Sequence, residues 1–196
     1  MKKLTTDFYD RDTLTVAREL LGKYLVRVID GLPLTVRITE TEAYIGRLDK
    51  ACHAYGYKRT ARTSTLFASP GTAYIYLIYG MYHCLNFVTE AENEPAAVLI
   101  RAGIPVSSAD ADNISVKRFG CTADKMSSYQ RKNFLNGPGK LCKGLSLTKE
   151  QNGLSLTGDI LYVLDSGEKP EPIHVSKRIG IDYAEEAAAF PWRFYL

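Results

Sequence analysis

The stretch Pro33-Leu34-Thr35-Val36-Arg37-Ile38-Thr39-Glu40-Thr41-Glu42-Ala43-Tyr44 alternates apolar and polar residues through Thr39. That period of two predicts a half-buried β-strand. Along it Glu40, Glu42 and Tyr44 fall on one face, and Thr39, Thr41 and Ala43 on the other. A carboxylate and an aromatic ring therefore share the end of the strand. Just upstream, Tyr24-Leu25-Val26-Arg27-Val28-Ile29 reads as a partner strand, and Asp30-Gly31 between them is a hairpin signal. Asp10 is placed to cap a helix through Leu14, Ala17, Arg18 and Leu21 that stops at Gly22. Downstream, strands are predicted over 72–79, 82–89 and 96–102, the first two joined tightly at Gly80-Met81. Ala96-Ala97-Val98-Leu99-Ile100 is almost wholly apolar, so it should be the most buried strand, ending at Arg101. Short connections favour an antiparallel sheet over a βαβ array. Residues 46–70 form a long loop, a length usually reserved for function. Residues 106–136 read as loop plus a short helix, and Asn136-Gly137-Pro138-Gly139 opens another over 140–145. Strand-like pieces near 160–164 and 173–179 and the terminal Trp192-Arg193-Phe194-Tyr195 close the chain.

A length of 196 residues fits one domain, and 45% hydrophobic residues supply a core. The net charge of +3 permits nucleic-acid binding without requiring it. Thirteen tyrosines against one tryptophan favour wet, stacking surfaces. The cysteines Cys52, Cys84, Cys121 and Cys142 form no CxxC pair and have no His cluster beside them, so no metal is expected and reduced thiols fit best. The basic N-terminus lacks a following apolar run. No signal peptide and no membrane span are expected, which points to the cytoplasm, or the nucleus in a eukaryote.

The candidate chemistry has a plain reading beside each functional one. Glu42 is either a salt-bridged carboxylate or a base that deprotonates water, its pKa raised by neighbouring rings unless donors hold the anion. Tyr74 and Tyr76 share a strand face, for packing or for stacking a flat ring, with Tyr44 and His53 as further walls. Asn86 lies within a strand, where Asn is disfavoured; it is a satisfied core group or a selectivity element. Arg101 is structural or phosphate-binding. Lys58, Arg59 and Arg62, with the basic residues of 131–143, are solvated charges or phosphate contacts. Gly137-Pro138-Gly139-Lys140 lacks Walker A spacing.

Taken in order, Leu20-Leu21-Gly22, Glu40-Thr41-Glu42-Ala43-Tyr44, His53, Tyr74 through Asn86, Arg101, Gly137 through Cys142 and Arg193-Phe194-Tyr195 resemble the alkyladenine (3-methyladenine) DNA glycosylase family over nearly the whole chain. The resemblance implies a single mixed α/β (α+β) domain over 1–196, built on a curved, mostly antiparallel sheet with flanking helices. It implies a monofunctional base-excision enzyme, monomeric and without cofactor, that flips a damaged purine from double-stranded DNA and hydrolyses its N-glycosidic bond. Glu42 matches the general base and Arg101 its support. Tyr44, Tyr76 and His53 match the stacking walls. Backbone groups at Ala51 and His53 match those that read the base edge, and Asn86 matches the group that clashes with the guanine amino group. Tyr79 and Met81 match the residues that intercalate, and Arg62 and Lys140 are expected on the DNA backbone. The expected substrates are 3-methyladenine, 7-methylguanine, hypoxanthine and ethenoadenine. Tyr57-Lys58 interrupts a loop expected to be richer in glycine, and Gly139 stands where some relatives carry Ser. A non-catalytic nucleic-acid binder and a hydrolase of free nucleosides are the competing readings.

Overall fold

The chain opens with β1 (Lys2–Lys3), then two short helices, α1 (Thr6–Tyr9) and α2 (Thr13–Glu19). The cap of α2 is Asp12, whose carboxylate accepts the Thr15 N–H at 2.8 Å. Asp10, expected in that role, instead ends α1. Strands β2 (Tyr24–Ile29) and β3 (Leu32–Ile45) pair antiparallel around Asp30 and Gly31, both at positive φ. Then come β4 (Ala73–Ile78), β5 (Tyr82–Val88) and β6 (Ala96–Pro105), helices α3 (Ser108–Phe119), α4 (Ser128–Lys132) and α5 (Pro138–Gly144), and strands β7 (Leu161–Asp165), β8 (His174–Ser176) and β9 (Arg193–Tyr195). This computed structural model describes every residue except Glu168 and Glu171.

The fold is mixed α+β: among the described residues nine strands form one antiparallel sheet in the order β1-β7-β2-β3-β6-β5-β4, with β9 joining β3 and β8 joining β9. The long β3 is the hinge of this layout. Its first half pairs with β2, residues 40–42 pair with β9, and β6 runs along its other edge.

The register of β3 on β6 shifts twice, between Ile38 and Glu40 and between Glu40 and Thr41. The bulge changes which residues face the helices. Before it, Leu34, Val36 and Ile38 enter the main core; after it, Thr41 and Ala43 are the buried partners, and the Thr41 hydroxyl donates to the Ala17 carbonyl of α2 at 2.8 Å. An unbroken alternation from Ile38 would have driven Glu42 into that apolar core. The bulge turns Glu40, Glu42 and Tyr44 to the opposite face.

Other elements also differ in extent from the sequence reading. Residues 106–136 hold a twelve-residue helix, α3, rather than a short one. It is polar nearly all round, so periodicity hides it; its stability comes from a Ser107/Asp110 capping box, a left-handed Gly120 at its end and contact of Ile114 with α5. The β4–β5 link holds Gly80 and Met81 as expected and takes in Tyr79 as well, with positive φ at Tyr79 and Gly80. The buried run 96–100 is as expected, but β6 continues past Arg101 to Pro105.

Candidate active site

Glu42 is paired in register with Leu99 on β6, Leu99 with Asn86 on β5, and Asn86 with Tyr74 on β4. Opposite residues in paired strands project from the same face. This row therefore crosses the sheet on the face away from α2. It underlies a cavity of about 500 Å³ whose walls include Tyr44, His53, Tyr76, Leu99 and Arg101. Glu42 itself is fully buried behind that wall.

Three donors hold the Glu42 carboxylate. The Ile179 N–H donates to Oε1 at 2.8 Å, and the Tyr44 hydroxyl and Arg101 Nη1 donate to Oε2 at 2.8 and 3.3 Å. Burial raises its pKa above the usual carboxylate range; Arg101, the Ile179 N–H and Tyr44 pull it back in part. Arg101 also donates through Nε to Glu40 at 2.8 Å, and Glu40 accepts from Arg193 at 2.6 Å. Burial alone would lower the Arg101 pKa, but the Glu42 and Glu40 charges outweigh it and raise it. Arg101 is thus an ion-pair partner of both glutamates, at the back of the cavity.

The aromatic walls are neutral. His53 packs edge-on against Tyr76 with centroids 4.6 Å apart, and its Nδ1 lies 3.2 Å from the Tyr74 hydroxyl. Burial, with a smaller push from Arg62, drives the His53 pKa down to about 4. Burial likewise raises the phenols of Tyr44 and Tyr76. An uncharged, π-rich slot above a carboxylate attracts a flat cation and gives a neutral ring much less.

Each expected residue has a definite place. Tyr44, His53, Tyr76, Asn86, Ala51 and Arg101 line one cavity. The Ala51 N–H donates to Asp49 Oδ1 at 2.9 Å and so is not free to read a base edge. The Asn86 amide donates to the Tyr74 and Cys84 carbonyls at 3.1 and 3.4 Å, so it is at once a satisfied buried group and a cavity wall. Tyr79 and Met81 stand at the exposed β4–β5 tip, 79% and 67% accessible. Arg62 is exposed, with its guanidinium 5.3 Å from the centre of the Tyr76 ring. Lys140 Nζ donates to Asn133 Oδ1 and Asn136 Oδ1 at 2.8 and 2.9 Å, neutral acceptors that leave its charge uncancelled. The sequence reading missed Ile179, Leu99 and Tyr183, all at the cavity. Leu99 could have been found by counting two residues back from Arg101. Among the described residues no three His, Cys, Asp or Glu side chains are placed to share a metal ion, and no helix is long and apolar enough to cross a membrane.

The chain is similar to known proteins over nearly its whole length. The family model described as Methylpurine-DNA glycosylase (MPG) matches residues 7–196. Three similar chains carry the name "Putative 3-methyladenine DNA glycosylase". That of Clostridium perfringens (strain SM101 / Type A) is 52% identical over 99% of this chain and 95% of its own. That of Desulfitobacterium hafniense (strain Y51) is 48% identical over 100% and 96%, and that of Alkaliphilus oremlandii (strain OhILAs) 48% over 99% and 95%.

Proposed function

The chain belongs to the methylpurine-DNA glycosylase family and is a DNA glycosylase, a hydrolase of N-glycosyl bonds, and we propose that it excises alkylated and deaminated purines from duplex DNA with a water activated by Glu42. The observation that carries this reading is the buried carboxylate beneath a neutral aromatic slot. Its substrates are 3-methyladenine, 7-methylguanine, hypoxanthine and ethenoadenine. Each must leave the base stack to reach a cavity this enclosed.

The chemistry follows from the donors. A carboxylate has about four acceptor positions, and Ile179, Tyr44 and Arg101 take three. The fourth receives the proton of the attacking water. The water oxygen bonds to C1′ of the sugar, the C1′–N bond breaks, and its electron pair leaves with the base. A base that is already cationic, 3-methyladenine or 7-methylguanine, departs neutral and needs no acid; hypoxanthine and ethenoadenine leave as anions that take a proton from solvent. The anionic carboxylate also stabilises the oxocarbenium character that builds at C1′, as in glycoside hydrolysis. The reaction requires no cofactor, and the enzyme acts as a monomer in the compartment that holds the DNA.

Purified protein incubated with methylated duplex DNA should release free 3-methyladenine, and Glu42→Gln should slow single-turnover release by about 10²–10⁴-fold while binding DNA normally. The amide keeps the shape but takes no proton. Release by the variant near the wild-type rate would remove Glu42 from the mechanism. Binding without release by the wild type would favour a non-catalytic binder, and turnover of free nucleosides would favour a nucleoside hydrolase.

A further inference from the structure

Arg178 and Asp49 form an ion pair with both side chains fully buried. Arg178 Nη1 donates to Asp49 Oδ2 and, at 2.8 Å, to the Ala43 carbonyl; Nη2 donates to Asp49 Oδ1 at 2.8 Å and to the Ala187 carbonyl at 3.1 Å. Its guanidinium carbon lies 4.6 Å from the centre of the Tyr44 ring and 5.1 Å from that of Trp192. One planar group therefore joins three pieces of chain. Ala43 is the β3 residue between Glu42 and Tyr44. Asp49 also accepts the N–H of Ala51, a residue of the cavity wall, so it sets that loop. Ala187 anchors the C-terminal segment, and the residue after Arg178 is Ile179, whose N–H donates to Glu42.

We propose that Arg178, locked by Asp49, is the positioning residue of this site: it holds the Ile179 N–H on Glu42, backs the Tyr44 ring and sets the Ala51 loop at once. The inference rests on Glu42 being the base. A buried ion pair is a poor device for stability alone, because apolar side chains of similar volume do as well or better. Among the described residues Arg178 Nε is also buried without a hydrogen-bond partner, a penalty that closure of the fold does not require. What the guanidinium supplies, and an apolar group cannot, is four directed bonds to three segments that meet at the catalytic carboxylate.

The charged and titratable groups around Glu42 are Glu40 and Tyr44 on β3, Arg101 on β6, Cys84 on β5 and, through Glu40, Arg193 on β9. None of these changes in Arg178→Lys, which also keeps the positive charge at 178. An altered acid limb in that variant therefore reports the loosened Ile179 and Tyr44 donors. Both donors favour the anion, so losing them moves the limb to higher pH. The test is single-turnover base release from methylated duplex DNA against pH, below each variant's melting transition, with affinity for an abasic duplex measured alongside. Arg178→Lys should be about 10²-fold slower, the cost of misplacing a catalytic group by about 1 Å. Its acid limb should lie at higher pH and its duplex affinity within about twofold of wild type. Asp49→Asn, which keeps the shape but frees the guanidinium, should shift the limb the same way. A slow variant with the wild-type limb would make the pair merely structural, and a wild-type rate in both variants would leave it no role; either overturns the inference. If the wild type releases no base, or Glu42→Gln is as fast, the reading of the site fails before Arg178 is tested.

Discussion

Glu42 and His53 have titrations shifted in opposite senses. Glu42 works as the carboxylate, and burial raises its pKa, so activity should fall on acidification at a pH above the usual carboxylate range. His53 is held neutral to about pH 4, so it contributes no limb near neutrality. We expect one acid limb in the single-turnover profile, retained in His53→Gln with a lower rate. A limb that disappears with His53 would assign the titration to the imidazole. Asn86 gives a second test. Its amide is tied to the Tyr74 and Cys84 carbonyls, so the side chain cannot swing out of the cavity. A purine carrying an exocyclic amino group there meets fixed bulk. Asn86→Ser should raise release of 7-methylguanine, or of normal guanine, relative to hypoxanthine. The competing outcome is a lost buried hydrogen bond costing about 1–3 kcal/mol. A lower melting temperature with unchanged lesion ratios would sink the selectivity role.

At the scale of elements, the hairpins were legible because turn chemistry and alternation agree. Asp30-Gly31 and the 24–29 and 32–45 strands stand almost where the pattern put them. The bulge at Thr39 was not legible, because nothing in the residue types marks the extra residue; only the two buried faces reveal it. Helix α3 was read as short because of its polar surface, although Ser107-x-x-Asp110 and Gly120 marked both ends. Ile179 was beyond reach: its backbone N–H acts on a residue 137 positions away, and a backbone donor leaves no trace in side-chain identity. The β4–β5 tip is where an element makes its own prediction. Tyr79 sits there at φ 53°, a conformation costly for a large side chain, and is almost fully exposed. An intercalating role would account for that cost. Tyr79→Ala should impair excision of a well-paired lesion more than of a mismatched one, because the wedge offsets unstacking. Equal losses on both would remove the wedge. The support of that tip is close-fitting: a Cβ on Gly139 would lie 2.9 Å from the Cβ of Tyr82. Gly139→Ser should therefore push α5 and the β4–β5 tip apart and reduce excision, read as slower release beside a lower melting temperature. A Ser variant as stable and active as wild type would show that the two elements can part without consequence.

For the molecule as a whole, net charge understates what a polyanion would meet. The formal +3 averages 25 basic against 22 acidic residues, but the cancellation is uneven. Lys3, Arg11, Lys23, Arg47 and Lys50 are each paired with a carboxylate. Around the cavity the arrangement differs. Arg59 and Arg62 lie over the Phe67 and Tyr76 rings, and Lys140 is held by asparagine oxygens. Among the described residues none of these three has a carboxylate in ion-pair range, so their charge is available in front of the aromatic slot. Phosphates drawn there would bring the duplex onto the exposed Tyr79 and Met81. If these and neighbouring cations such as Lys58 engage four to six phosphates, each contact releases condensed counterions, and log K for undamaged duplex should fall against log salt with a slope of roughly −4 to −5. Lys140→Ala should reduce that slope by about one and weaken all sequences alike, because a phosphate contact carries no base information. Arg62→Ala should behave differently. Its exposed guanidinium lies over the Tyr76 ring of the slot, so its loss should lower release of a lesion more than binding of undamaged duplex. A slope unchanged by Lys140→Ala would mean that the charge facing DNA lies elsewhere on the molecule. An Arg62→Ala variant whose only defect is a shallower slope would return that arginine to the backbone.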